Sequence, residues 1–228
     1  FYCPLFFQNS YRAENTLSFL LKRPINVNHV FVFYSQDGVK FKEISFKSSD
    51  FIISIDFPKF KTKDKYLSFT HDIIPIQKEL KIKNIIGQND LVSLQHRGYS
   101  IFKKKYNSLG TIVHGNFGVI CPSDINKSAA KQRKIEFSYT PTYEFEYDSY
   151  YELLFNNPTS KILEIKVFFK NTNLNYSIEE IYIKPFGTNY INFKNYKGQI
   201  SFNSKLPICR PLIFKNPNIE SNNFDVFH

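Results

Sequence analysis

The chain has 228 residues, 42% hydrophobic and 22% charged, which excludes a disordered or fibrous protein and allows one large domain or two of ordinary size. A net charge of +10 raises nucleic-acid binding, but lysines far outnumber the arginines, which are Arg12, Arg23, Arg97, Arg133 and Arg210. Base readout relies on the bidentate guanidinium, so polyanion binding is possible here but not favoured.

In chain order the periodicity reads as strands. Val30, Val32 and Tyr34 alternate with their neighbours, followed by Ile44 and Phe46, then Ile53, Ile55 and Phe57. Gln36–Gly38 and Lys47–Asp50 supply links between them. Within Pro58–Tyr66, Lys59, Lys61, Lys63 and Lys65 fall at period two; a charged edge or solvated loop is the favoured reading. Short helices are expected near Gln77–Ile85 and Ser128–Lys134. Tyr143, Phe145 and Tyr147 would share one face of a strand, against Glu144, Glu146 and Asp148. Strand patterns return at Leu163, Ile165 and Val167, then Ile181 and Ile183, then Ile191 and Phe193, with Asn171–Asn173 and Lys184–Thr188 as links.

The two halves resemble each other. Phe19–Pro24 (FLLKRP) aligns with Leu153–Pro158 (LLFNNP) at an offset of 158 − 24 = 134. Val32–Tyr34 aligns with Val167–Phe169, Ile44 and Phe46 with Ile181 and Ile183, and Phe57 with Phe193. His96–Lys103 then aligns with Cys209–Lys215, placing Arg97 against Arg210, and Val113–His114 aligns with Val226–His228. The expected fold is therefore all-β: two tandem antiparallel β-sandwich units from an internal duplication. Unit 1 would span 1–122 with an insertion at about 58–90, a linker 123–134, and unit 2 135–228.

The ordered features of the second half, Asn157–Pro158, a VFF strand, KPFGTNYINF (Lys184–Phe193) and SKLPICR (Ser204–Arg210), resemble the small β-sandwich family of sensory rhodopsin transducers. In the first half NDLVSLQHR (Asn89–Arg97) is similar to that family's strand ending in Gln-His-x-Arg, although no residue here separates His96 from Arg97. The resemblance implies non-catalytic sandwich units that assemble and bind other molecules. Family members carry one unit per chain, so a tandem chain departs from their pattern.

Candidate ligand-binding positions are those that recur or sit at turns: His96, Arg97, Tyr99, His114, Asn116, Arg210 and His228. An arginine at the same point of both copies can clamp a carboxylate, phosphate or sugar acid, and equally can cap a strand end. Cys209 stands where His96 stands, which argues against shared acid–base chemistry. His29, His71, His96, His114 and His228 are scattered without metal-ligand spacing. No nucleophile elbow, P-loop or dinucleotide fingerprint occurs. No catalytic residue, metal or cofactor is expected.

Cys3, Cys121 and Cys209 lack C-x-x-C spacing and read as reduced thiols, pointing to a cytoplasmic setting, with an export signal upstream of Phe1 left open. No apolar run of membrane-spanning length occurs. The expected function is a non-enzymatic binding or assembly protein that engages an acidic or carbohydrate-like ligand or a protein partner, with a homo-oligomer as an open assembly state. The alternatives are an enzyme using a strand-end histidine on a carbohydrate or other small molecule, and a structural component of a surface layer or particle.

Overall fold

Alternation of apolar and polar residues buries one face of each strand, and two such faces must meet to exclude water. The computed structural model describes residues 1–76, 98–104, 110–114, 136–141, 143–171, 176–206, 210–216 and 225–227. The chain divides into unit 1, Phe1–Asp124, and unit 2, Ile125–His228.

In unit 1 the elements are β1 (Tyr2–Pro4), β2 (Gln8–Glu14), α1 (Thr16–Leu21), β3 (Val27–Tyr34), β4 (Lys40–Ser48), β5 (Ile52–Asp56), β6 (Tyr66–Pro75), β7 (Gly98–Lys103) and β8 (Gly110–His114). They form two antiparallel sheets, sheet A in the order β1-β6-β3-β4 and sheet B in the order β5-β2-β7-β8. Phe31, Phe33, Leu67 and Phe69 of sheet A pack against Tyr11, Ala13 and Ile53 of sheet B, making a sandwich core.

Unit 2 holds β9 (Phe137–Tyr139), β10 (Tyr150–Asn156), β11 (Leu163–Asn171), β12 (Tyr176–Ile183), β13 (Thr188–Lys194), β14 (Gly198–Ser204), β15 (Leu212–Lys215) and β16 (Asp225–Phe227). Sheet C runs β9-β14-β11-β12 and sheet D runs β13-β10-β15-β16, again antiparallel. Leu163, Ile165, Val167, Ile200 and Phe202 of sheet C face Tyr151, Leu153, Phe155 and Ile213 of sheet D. The all-β, sandwich-like architecture is as the periodicity implies.

The strand order is the same in both units: β1 to β8 occupy the places of β9 to β16. Two asparagines give the registration. Asn15 N donates to Phe51 O (2.8 Å) and its Nδ2 to Ile25 O (3.0 Å). Asn157 N donates to Gly187 O (2.9 Å) and its Nδ2 to Lys161 O (2.6 Å). Asn15 and Asn157 thus do the same job, tying the end of β2 or β10 to the entries of two later strands. The ladders carry the match outwards: Tyr11 lies opposite Ile55, as Leu153 lies opposite Ile191.

That registration corrects part of the sequence alignment. Phe19–Leu21 belongs to α1, whereas Leu153–Phe155 belongs to β10. Asn15 caps the helix by accepting from Ser18 N (3.2 Å), and Lys22 closes it in the left-handed conformation. In unit 2, Thr159 N turns back onto Asn157 Oδ1 (2.9 Å) and no helix intervenes. Val27, Phe31 and Phe33 are buried, as are Leu163, Val167 and Phe169, so Phe33 rather than Tyr34 matches Phe169. A slip of one residue turns a strand inside out, and core packing rejects it. Phe46 likewise matches Ile181 rather than Ile183: Phe46 lies opposite His29, and Ile181 opposite Ile165. The pairing of Phe57 with Phe193 agrees with the ladders, since Phe57 N donates to Asn9 O and Phe193 lies opposite Tyr151.

The region about 58–90 is not one insertion. Tyr66–Pro75 is β6, an interior strand of sheet A with β14 as its counterpart. The extra length lies in the links before and after it. Pro58–Lys65 is irregular, with Lys59, Lys61 and Lys63 exposed, in keeping with a solvated loop. Tyr143–Tyr147 does not form a strand. Phe145 is buried in the core, whereas Tyr147 stands exposed in the turn that precedes β10. The helices expected near Gln77–Ile85 and Ser128–Lys134 lie outside the described residues.

Candidate functional site

The outward face of sheet B is the open, chemically mixed surface of unit 1. Because strand residues alternate, Tyr11 and Ala13 point into the core and Ser10 and Arg12 point away. The ladders set Ser54, Arg12, Tyr99 and His114 opposite one another across all four strands. The next row is Asp56, Ser10, Ile101 and Ile112. Arg12, Ser54, Asp56 and Lys103 are exposed, Tyr99 and Ile101 half-buried, and Ile112 is 61% exposed. A guanidinium, a phenol, hydroxyls and two isoleucines therefore share one surface.

The corresponding face of sheet D is closed. By the Asn15–Asn157 registration, Arg12 matches Leu154, Ser10 matches Glu152, Tyr99 matches Leu212, Ile101 matches Phe214 and Ile112 matches Val226. All five unit 2 residues are buried. Glu152 accepts from Tyr150 Oη (3.0 Å), and burial first, then the Glu152 charge, pushes the Tyr150 phenol up.

Of the positions expected from sequence, Tyr99 and His114 are brought together as neighbours across β7 and β8. Arg210 is exposed just before β15, with its guanidinium carbon 5.8 Å from the Tyr139 ring centroid. His96, Arg97, Asn116 and His228 lie outside the described residues. Arg12 was missed because it is an isolated arginine in QNSYRAE, and only the sheet order places it beside Tyr99.

A second polar constellation lies inside the sandwich. His29, fully buried on β3, faces His71 on β6, with Nδ1 and Nε2 3.0 Å apart. The Tyr11 hydroxyl lies 3.3 Å from His71 Nδ1, completing a chain of three side chains between the sheets. His71 stacks on Phe31 at 4.3 Å and His29 on Phe46 at 5.3 Å. Among the described residues, His29 Nε2 is buried without a hydrogen-bond partner. Burial holds the His29 imidazolium below its ordinary value, against a smaller opposing pull from the Asp50 charge. Sequence spacing gives no signal for this group, since its members are 18 to 60 residues apart.

Burial also raises the carboxyl of Asp72 and the thiol of Cys3, leaving the latter a protonated, unreactive core residue. Among the described residues no group of three or more His, Cys, Asp or Glu side chains is placed to hold a metal ion. No described helix is long and apolar enough to cross a membrane. A shallow groove on sheet C, lined by Glu136, Lys161, Glu164, Lys166 and Lys205, mixes both signs of charge and selects no ligand class.

No protein-family model matches the sequence, and a search of curated proteins finds no relative.

Proposed function

We propose that the protein is a non-enzymatic binding protein whose unit 1 engages an acidic, carbohydrate-like ligand on the outward face of sheet B. The observation that carries this reading is the exposed Arg12 beside the half-buried Tyr99 in unit 1, where unit 2 has the buried pair Leu154 and Leu212. Arginine offers a planar fork to a carboxylate or sulfate, and a tyrosine ring provides a flat apolar surface for a sugar. Ile101 and Ile112 extend that surface, and the net charge of +10 favours encounter with anions.

The same strand order and the shared role of Asn15 and Asn157 support descent of the two units from one copied module. On this reading the copies diverged in function, since the face left open in one is buried in the other. Assembly into oligomers, which the resemblance to sensory rhodopsin transducers implies, would be a separate property.

The test is an array of acidic and neutral glycans probed with the full chain, followed by affinity measurements on Arg12→Ala and Tyr99→Ala. Each variant is expected to weaken binding of an acidic glycan at least tenfold while leaving the unfolding transition in place. An array with no acidic glycan bound removes the ligand class. Wild-type affinity in both variants removes the site.

A further inference from the structure

We propose that chains of this protein join head to tail, β4 in unit 1 of one chain adding as a strand to β12 in unit 2 of the next. The contact is separate from the outward face of sheet B and does not depend on a ligand there.

The two strands are the long open edges of the molecule. An edge strand has N–H and C=O groups on its far side that no ladder uses, and short edges are one protection against unwanted pairing. β1, β9 and β16 are edges of that kind, with three residues each. β4 and β12, with nine and eight residues, are the longest edges among the described residues. They hold the same place in the two units, at the ends of sheets A and C. Lys42, Ser45 and Lys47 are exposed on β4, as are Ile178, Glu179, Glu180 and Tyr182 on β12.

The edges carry opposite charge. β4 has Lys40, Lys42 and Lys47 against Glu43, a net of 3 − 1 = +2, whereas β12 has only Glu179 and Glu180, a net of −2. Charge on an edge blocks pairing when the partner has the same sign. Two β4 strands, or two β12 strands, therefore repel, while β4 and β12 attract. Lys40 is already bonded to Glu43 (2.7 Å), so Lys42 and Lys47 are the β4 cations left for a partner.

Side-chain alternation selects a register. Ile44 and Phe46 point into the core of unit 1, opposite Phe31 and His29. Ile181 and Ile183 point into the core of unit 2, opposite Ile165 and Leu163. Residues directly opposite on antiparallel strands share a face. Setting Phe46 opposite Ile181 and Ile44 opposite Ile183 keeps both apolar rows on the core side. The same register sets Lys47 opposite Glu180 on the outward side, with Ser45 opposite Tyr182. A slip of one residue would mix the faces, and a slip of two would set Lys47 against Ile178 or Tyr182. The irregularity of the β3–β4 ladder falls at Phe33/Tyr34, outside the paired stretch. Glu180 accepts from Tyr182 Oη (3.0 Å) and Tyr182 O from Asn189 Nδ2 (3.3 Å), exposed contacts that an incoming strand can displace. Because the joined surfaces differ, each added chain offers a free edge to the next, and the contact propagates.

The experiment is sedimentation of the full chain over a range of concentrations, at low and high salt. The mass is expected to rise with concentration, more so at low salt. Lys42→Glu/Lys47→Glu and Glu179→Lys/Glu180→Lys should each weaken association about tenfold or more, because each sets like charges together. An equimolar mixture of the two variants should regain association, since the reversed β4 of one meets the reversed β12 of the other. A single mass for the wild type at every concentration, association untouched by either reversal, or a mixture that stays apart overturns the proposal. So does a monomeric wild type whose β4 reversal instead abolishes heparin binding, which gives that edge to a polyanion. Should a variant fold poorly, hydrogen exchange of the wild type decides. Protection gained with concentration at β4 and β12 supports the contact, and protection gained at neither strand overturns it.

Discussion

Replacing Gly98 by alanine tests whether the core of unit 1 is built around Tyr11. Gly98 lies opposite Ala13 on the β2–β7 ladder, and the Tyr11 ring leans diagonally across it. A Cβ at residue 98 would collide with the Tyr11 hydroxyl and Cζ and come within 2.7 Å of Cε2. Glycine is thus needed here for space. The Tyr11 ring is hemmed in by edge contacts with Phe31 at 5.5 Å and Phe69 at 5.3 Å, so it has little freedom to retreat. Overpacking costs about 1–3 kcal/mol, and loss of the Tyr11–His71 hydrogen bond adds about 1 kcal/mol, giving roughly 3 kcal/mol in all. The assay is urea unfolding of Gly98→Ala, Tyr11→Leu and the double variant, with hydrogen exchange assigning the change to unit 1. Leucine is what unit 2 carries at this place, as Leu153. Removing the ring removes the collision, so the double variant should recover about 1–2 kcal/mol relative to the sum of the singles. Additivity within about 0.5 kcal/mol would refute the contact as the cause.

The asparagine anchors should differ in weight. Asn157 Nδ2 donates to Lys161 O, Ile183 O and Lys184 O, and its Oδ1 accepts from Thr159 N and Oγ1. Asn157→Ala is expected to cost about 3 kcal/mol in chemical denaturation, and Asn15→Ala, with fewer listeners at Ile25 and Ser18, about 1–2 kcal/mol. Equal losses would contradict the hydrogen-bond account. At the alkaline end, burial pushes the Tyr196 phenol up to about 12, while its hydroxyl donates to Gln199 O (2.6 Å). Its contribution to stability should be constant below pH 10 and be lost as pH rises through about 12, a loss absent in Tyr196→Phe. Ultraviolet titration showing every tyrosine ionising near 10 would contradict this.

Strand identity and the all-β class were legible because period two is local: the alternation at Val30, Val32 and Tyr34 marks a strand, although the face it buries is the other one, with Val27, Phe31 and Phe33. The likeness of the halves was legible too, but its registration was not. Matching hydrophobic letters set Phe19–Leu21, a helix, against a strand, and displaced β3 by one residue. A backbone hydrogen bond such as Asn15 to Phe51 leaves no composition to match, yet it is what aligns the two units.

Sequence alone determined which residues prefer strands, where charge lies and which motifs are absent, since these depend on neighbours within a few positions. Only the tertiary structure decided that Arg12 stands beside Tyr99, that β6 is core rather than insertion, and that His29, His71 and Tyr11 meet between the sheets. Antiparallel ladders and sheet packing bring together residues tens of positions apart, and chain order carries no record of that proximity.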